Sequence, residues 1–165
     1  MASFVPLDFA VPAGLETTDF RLRMLTIHDV VKDYEAVMTS REHLRQFSGS
    51  GVFGPQSNWP AADLSLEQDL IDLGWHQKEF QRRTSFAYTV MSLDEQRCLG
   101  CVYFYPTDCS TDALHYDAQA IAWVRQSDLH LDVPLITAVK QWLSEAWPCL
   151  KSVAWPGRDL SWSDW

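Results

Sequence analysis

Residues 120 to 143, AIAWVRQSDLHLDVPLITAVKQWL, constrain the fold of this chain more than any other stretch. They read as a strand apolar on both faces, a short polar loop, and a helix with Leu135, Ile136, Val139, Trp142 and Leu143 along one side. A strand buried on both faces lies inside a sheet, and a helix that follows it directly packs back onto that sheet. At the junction the first helical amides lack internal partners, and the positive helix end attracts anions. Such loops are usually rich in glycine, which lets the backbone approach a phosphate closely. This one has no glycine and carries Asp128 and Asp132.

The rest of the chain supplies a sheet for that strand. Phe20, Leu22 and Met24 alternate with Arg21 and Arg23, which predicts a half-exposed strand. Thr26 and Asp29 form a capping-box pattern ahead of a helical run through Val30, Val31, Tyr34, Val37 and Met38. Ser65 and Gln68 repeat that pattern ahead of a second helix, expected to end near Arg83. SFAYTVMS and RCLGCVYFYPT flank the turn LDEQ as a hairpin, and ALHYDAQAIAWV adds a third strand. Asp132 is expected to cap the last long helix, and SVAWPG reads as a final short strand. Residues 47 to 62 hold three glycines and two prolines, a loop long enough to carry function, with Phe47, Phe53 and Trp59 available to line a pocket or pin the loop down.

A length of 165 residues suits one domain, with residues 1–17 as an N-terminal arm and 157–165 as a C-terminal tail. Thirteen basic against twenty-two acidic residues leave a formal charge of −9, which repels nucleic acid and anionic membranes and favours amines. Neither nucleic acid nor a membrane is therefore an expected partner. The opening MASFVPLDFAVPAGL lacks a basic leader, and no stretch nears the ~18 apolar residues of a membrane span, so a cytoplasmic protein is expected.

Cys98 and Cys101 form a C-x-x-C, but on a regular strand residues three apart face opposite sides. Without a bulge they cannot share a metal or a disulfide, and structural thiols are expected. Asp128, His130 and Asp132 alternate as metal ligands would, yet no second cluster joins them and Asp132 already serves as the expected cap. No metal is expected.

The order strand, helix, helix, three meander strands, helix, strand resembles the GNAT superfamily, the Gcn5-related N-acetyltransferases. The likeness is carried by FRLRMLTIHDVVKDYEAVM, FAYTVMSLDEQRCLGCVYFYP and the stretch quoted first, with an Arg-rich first strand and Gly100, and it covers about residues 18 to 156. It implies an α/β (α+β) fold: a mixed, mostly antiparallel central sheet flanked by helices, here shortened at the C-terminus. It also implies acetyl-CoA as cosubstrate, lying in a V-shaped gap between two parallel strands, and transfer to a small-molecule or peptide amine.

Residue by residue, the resemblance sets Val124 at the end of the long strand and Arg125, Gln126, Ser127 and His130 around the pyrophosphate. A backbone N–H near Val124 would polarise the thioester oxygen. Asp117, with His115 on the same strand face by period two, falls where relatives carry the base. Relatives often use a tyrosine past the last strand as leaving-group acid, and this chain has none after Tyr116. Trp155, Trp162 and Trp165 suit either a homodimer contact or packing on the chain's own sheet. The leading expectation is an acyl-CoA-dependent N-acyltransferase; the alternative is a GNAT-shaped binding or interaction module without transferase activity.

Overall fold

A computed structural model describes residues 3–107 and 116–165. One six-stranded sheet organises the chain, with strands in sequence order: β1 (Gly14–Glu16), β2 (Arg21–Met24), β3 (Phe86–Met91), β4 (Cys98–Pro106), β5 (Ala118–Val124) and β6 (Val153–Ala154). Every pairing is antiparallel except β5 with β6, which are parallel. The helices are α1 (Val30–Thr39), α2 (Arg41–Gln46), α3 (Leu66–Arg82) and α4 (Asp132–Ala146). This is the mixed, mostly antiparallel GNAT-like sheet flanked by helices that the sequence implied. No helix among the described residues is long and apolar enough to cross a membrane.

Local signals account for most boundaries. Asp29 accepts from the Thr26 amide at 2.9 Å, and a turn of 3-10 helix at Ile27–Asp29 leads into α1. Ser65 Oγ accepts from the Gln68 amide at 3.1 Å to open α3, which stops where Arg83 turns left-handed at φ 62°. The N-terminal arm is tied to the end of α3 and to β3. Arg83 donates to the carbonyls of Pro6 and Phe9, and Tyr88 to that of Pro12. The arm also contributes β1, a three-residue strand too short to register in the apolar pattern.

The two faces of the sheet bury different sets of side chains. Leu135, Val139, Trp142 and Leu143 of α4 pack on Tyr88, Val102, Phe104 and the alanines of β5. Across the sheet Val37 of α1, Leu44 of α2 and Leu73 of α3 cover Ala87, Cys101, Tyr103, Ile121 and Trp123. Strand periodicity fails at one place. Val90 pairs with Gly100 but Met91 pairs with Cys98, so β4 holds one extra residue at Leu99. That bulge puts Cys98 and Cys101 on the same face, contrary to the period-two expectation. Gly100 is required there, because a Cβ would meet the Trp123 carbonyl oxygen at 1.9 Å.

Two further expectations change. Leu131, not Asp132, is the N-cap of α4; Asp132 sits in the first turn and its carboxylate is used elsewhere. Trp155 is buried and Trp162 packs in the second core cluster, so both tryptophans face the chain's own body. Trp165 stacks edge-on against Tyr116 at 5.7 Å. Cys109 and His115 lie outside the described residues.

Candidate functional site

β5 and β6 pair over two rungs only, Ala118 with Val153 and Gln119 with Ala154. Asp117 secures the apex: its Oδ2 accepts from the amides of Lys151 at 2.8 Å and Ser152 at 2.9 Å. Past Gln119 no further β5–β6 pairing is formed among the described residues. Alternate residues on a strand point their main-chain groups to the same edge, so Ala120, Ala122 and Val124 offer theirs to the gap. Arg158, three residues past Trp155, enters that gap and donates to the Ala122 carbonyl at 3.1 Å.

The open end of the gap lies at the N-terminus of α4. A crevice of about 340 Å³ there is lined by Phe47, Asp132, Val133, Ile136, Thr137 and the turn Gly157–Asp159. Arg158 is held in it by a fork to Asp132, both N–O distances 2.9 Å, and its guanidinium lies 4.7 Å over the Phe47 ring. A carboxylate thus stands at the positive helix end with an arginine closing over it. This is the arrangement of an anion site whose anion is supplied by the chain itself. Val133 and Leu135 carry the remaining first-turn amides of α4, and Pro134 has none to offer.

Three of the residues expected around the pyrophosphate, Arg125, Gln126 and Ser127, are engaged in contacts within the protein. Val124 is buried on the strand edge, and its neighbour Arg125 points inward. Arg125 Nη1 and Nη2 donate to Glu35 of α1 at 2.8 and 2.7 Å, and its Nη1 also reaches the Cys98 carbonyl at 3.2 Å. The Gln126 amide donates to Ser40 Oγ at 2.8 Å, which ties the loop to the end of α1. Ser127 Oγ donates to Asp128, and Arg97 pairs with the same carboxylate at 2.8 Å. The loop itself is wound as 3-10 helix from Gln126 to Leu131, with the Asp128 amide turned back on the Arg125 carbonyl. His130 is exposed on its surface. The loop is stapled, and the gap-facing donor is Arg158, which sequence reasoning left in the tail. Its only local signal is the P-G-R turn after β6, where Gly157 takes φ 77°.

A second concavity lies on the α3 side. About 270 Å³ is walled by Phe53, Trp59, Asp72, His76, Tyr103 and Tyr105, so the long loop does line a pocket. Trp75 and Tyr105 also border a neighbouring cavity of about 610 Å³, on whose wall Glu79 and Asp117 sit. Because Asp117 Oδ2 takes both amides, Oδ1 is the oxygen that can face that space.

His76 lies 5.2 Å from the Tyr103 ring, and its Nδ1 is buried without a partner. Burial pushes its pKa down to about 4 from 6.5. A base depressed in the folded state adds stability above its unfolded pKa and loses it as pH falls through the folded value. Relative to His76→Phe, the wild type should therefore lose up to about 3 kcal/mol between pH 6.5 and 4, read from urea midpoints at each pH.

A split parallel strand pair, with a helix N-terminus at its open end and an apex beside an aromatic pocket, defines a GNAT-like fold. Solved structures agree on the fold. The ribosomal-protein-S5-alanine acetyltransferase of Vibrio fischeri matches at TM-score 0.61 and 14% identity, over 82% of this chain and 69% of that one. RimL, a ribosomal L7/L12 alpha-N-protein acetyltransferase solved with coenzyme A, matches at 0.57 and 16% identity, over 81% and 66%. The microcin C7 self-immunity acetyltransferase MccE, solved with acetyl-CoA and AMP, matches at 0.56 and 12% identity, over 82% and 70%. The chain thus spans about two thirds of the length of each. No protein-family model matches the sequence, and no curated protein does.

Proposed function

We propose that the chain is an acyl-CoA-dependent N-acyltransferase for a small-molecule or peptide amine. The observation that carries this reading is the parting of β5 from β6 after two rungs, with Arg158 at the free edge beside the N-terminus of α4. A diphosphate fits that corner if Arg158 exchanges the Asp132 carboxylate for it. The acyl arm then follows the edge from Val124 toward Ala118, about 20 Å at strand rise. Edge amides of β5 near Ala118 and Ala120 then face the thioester oxygen, at the other end of the strand from the role expected near Val124. Neighbours of the same fold were solved with coenzyme A and acetyl-CoA, which supports that ligand here.

The amine approaches through the aromatic cavities at the apex, where ring faces favour a cation. Asp117 Oδ1 takes its proton, which makes Asp117 the catalytic base of this proposal. With Asp117→Asn, kcat should fall by about 10²–10⁴-fold with the KM for acetyl-CoA little changed. Thiol release from acetyl-CoA over an amine panel measures this; an unaltered kcat removes Asp117 from the chemistry.

The Asp132–Arg158 fork favours a second reading. If that pair is a permanent plug, the protein is a binding module that merely has this shape. Thiol release by the wild type with at least one amine supports the transferase. Absence of turnover over the whole panel by both wild type and Asp132→Asn leaves the module.

A further inference from the structure

Four acid-forming side chains are buried together between β4 and helices α1 and α3. Cys98 and Cys101 are 0% exposed, Asp33 of α1 is 4% and Asp69 of α3 is 2%. Cys101 Sγ lies 3.4 Å from Asp33 Oδ1, and ligand atoms of Asp33, Cys98 and Cys101 all fall within 4.8 Å of one another. The Asp69 carboxyl abuts Asp33, and its Oδ2 is buried with no hydrogen-bond partner. Among the described residues no lysine, arginine or histidine forms an ion pair with either aspartate.

Asp33 accepts from the Cys101 thiol, but a buried carboxyl pair without a cation is costly, so it is neutralised by a proton or a metal. The bulge decides between a random cluster and a built one: it turns Cys98 onto the face of Cys101, where a regular strand would separate them. Gly100 keeps that bulge against Trp123. A tetrahedral zinc with S at about 2.3 Å and O at about 2.0 Å sets ligand S···O edges near 3.5 Å. The Cys101–Asp33 separation fits that edge. Two thiolates select a borderline ion of the zinc class over magnesium or calcium, which take oxygen ligands.

We propose that Cys98, Cys101 and Asp33 bind one zinc-class divalent cation, with the Asp69 carboxyl behind Asp33 to orient it. The site is closed to solvent, so its role is structural: it pins α1 to β4. It is independent of the acyltransferase reading, since neither the gap nor Arg158 takes part.

The test is reconstitution of the reduced protein with zinc, and separately with cobalt(II), followed by metal analysis and absorption spectroscopy. One metal per chain is expected, with thiolate-to-cobalt charge-transfer bands and the intense d–d bands of a tetrahedral ion. The Cys98→Ser/Cys101→Ser double variant should lose those bands. Asp69→Asn should weaken zinc about tenfold or more, read by competition with a chromogenic chelator. The wild-type cobalt spectrum needs no variant, so misfolding of a mutant does not decide the outcome. Wild-type protein that takes up no stoichiometric metal, binds it without thiolate bands, or retains it in the double variant overturns the proposal. So does a Cys98–Cys101 disulfide that persists under the reducing conditions used.

Discussion

Arg158→Ala is expected to weaken acetyl-CoA binding by about 30-fold or more, and Asp132→Asn to strengthen it by about tenfold. The asymmetry follows from the fork. Arg158 makes two charge-assisted bonds to Asp132 and one to the Ala122 carbonyl, and the pair is largely withdrawn from water. Charge-assisted bonds of this kind contribute about 1.5–3 kcal/mol each way, or roughly 10- to 150-fold in affinity. In the proposed complex a diphosphate takes those bonds from Asp132, so removing the carboxylate's charge removes the competitor. Removing the arginine leaves Asp132 uncompensated at the helix end, where it repels the ligand. Titration calorimetry on both variants reads the two signs. Equal affinities in wild type, Arg158→Ala and Asp132→Asn would place the ligand elsewhere.

The second large effect concerns stability. Arg125→Met is expected to cost about 2–3 kcal/mol, measured as the shift in denaturant midpoint at constant slope. Its side chain is 7% exposed and holds Glu35 by two parallel bonds, the Cys98 carbonyl and Thr39 Oγ1. Glu35 is 55% exposed at the side chain, so it regains water when its partner is lost, and that moderates the cost. The buried Cys98 carbonyl loses that donor, while Asp128 keeps Arg97 and Ser127. Glu35→Gln should cost less, about 1–2 kcal/mol, because Arg125 keeps a neutral acceptor and Asp128 at 3.8 Å. An Arg125→Met loss below about 1 kcal/mol would return Arg125 to the role the family resemblance implied, a phosphate contact free of structural duty.

The element order was legible because it rests on local periodicity. The caps at Thr26 and Ser65, the hairpin around the turn before Arg97 and the apolar β5–α4 junction all declare themselves over a few residues. What escaped depends on distant partners or on single-residue shifts. β1 is three residues of the arm that become a strand only because β2 offers an edge. One extra residue in β4 inverts the facing of Cys98, and period-two reasoning has no means of sensing it. Arg125 looked like a phosphate donor from its place after the strand, yet Glu35, ninety positions earlier, claims it. Arg158 was invisible as a site residue because its contacts, Ala122, Asp132 and Phe47, come from three separate elements. The absent glycines fit the same geometry: the loop is wound as 3-10 helix and stapled by side chains, a conformation that needs no glycine.

The central claim is that the free edge of β5 and the first turn of α4 receive the diphosphate-bearing arm of an acyl-CoA. Backbone amide resonances followed by NMR while acetyl-CoA is titrated into Asp132→Asn test it directly. Saturable shifts are expected at Ala120, Ala122, Val124 and Val133, together with the Arg158 side chain. Those signals staying still at millimolar ligand, or moving only at residues remote from the gap, would contradict it.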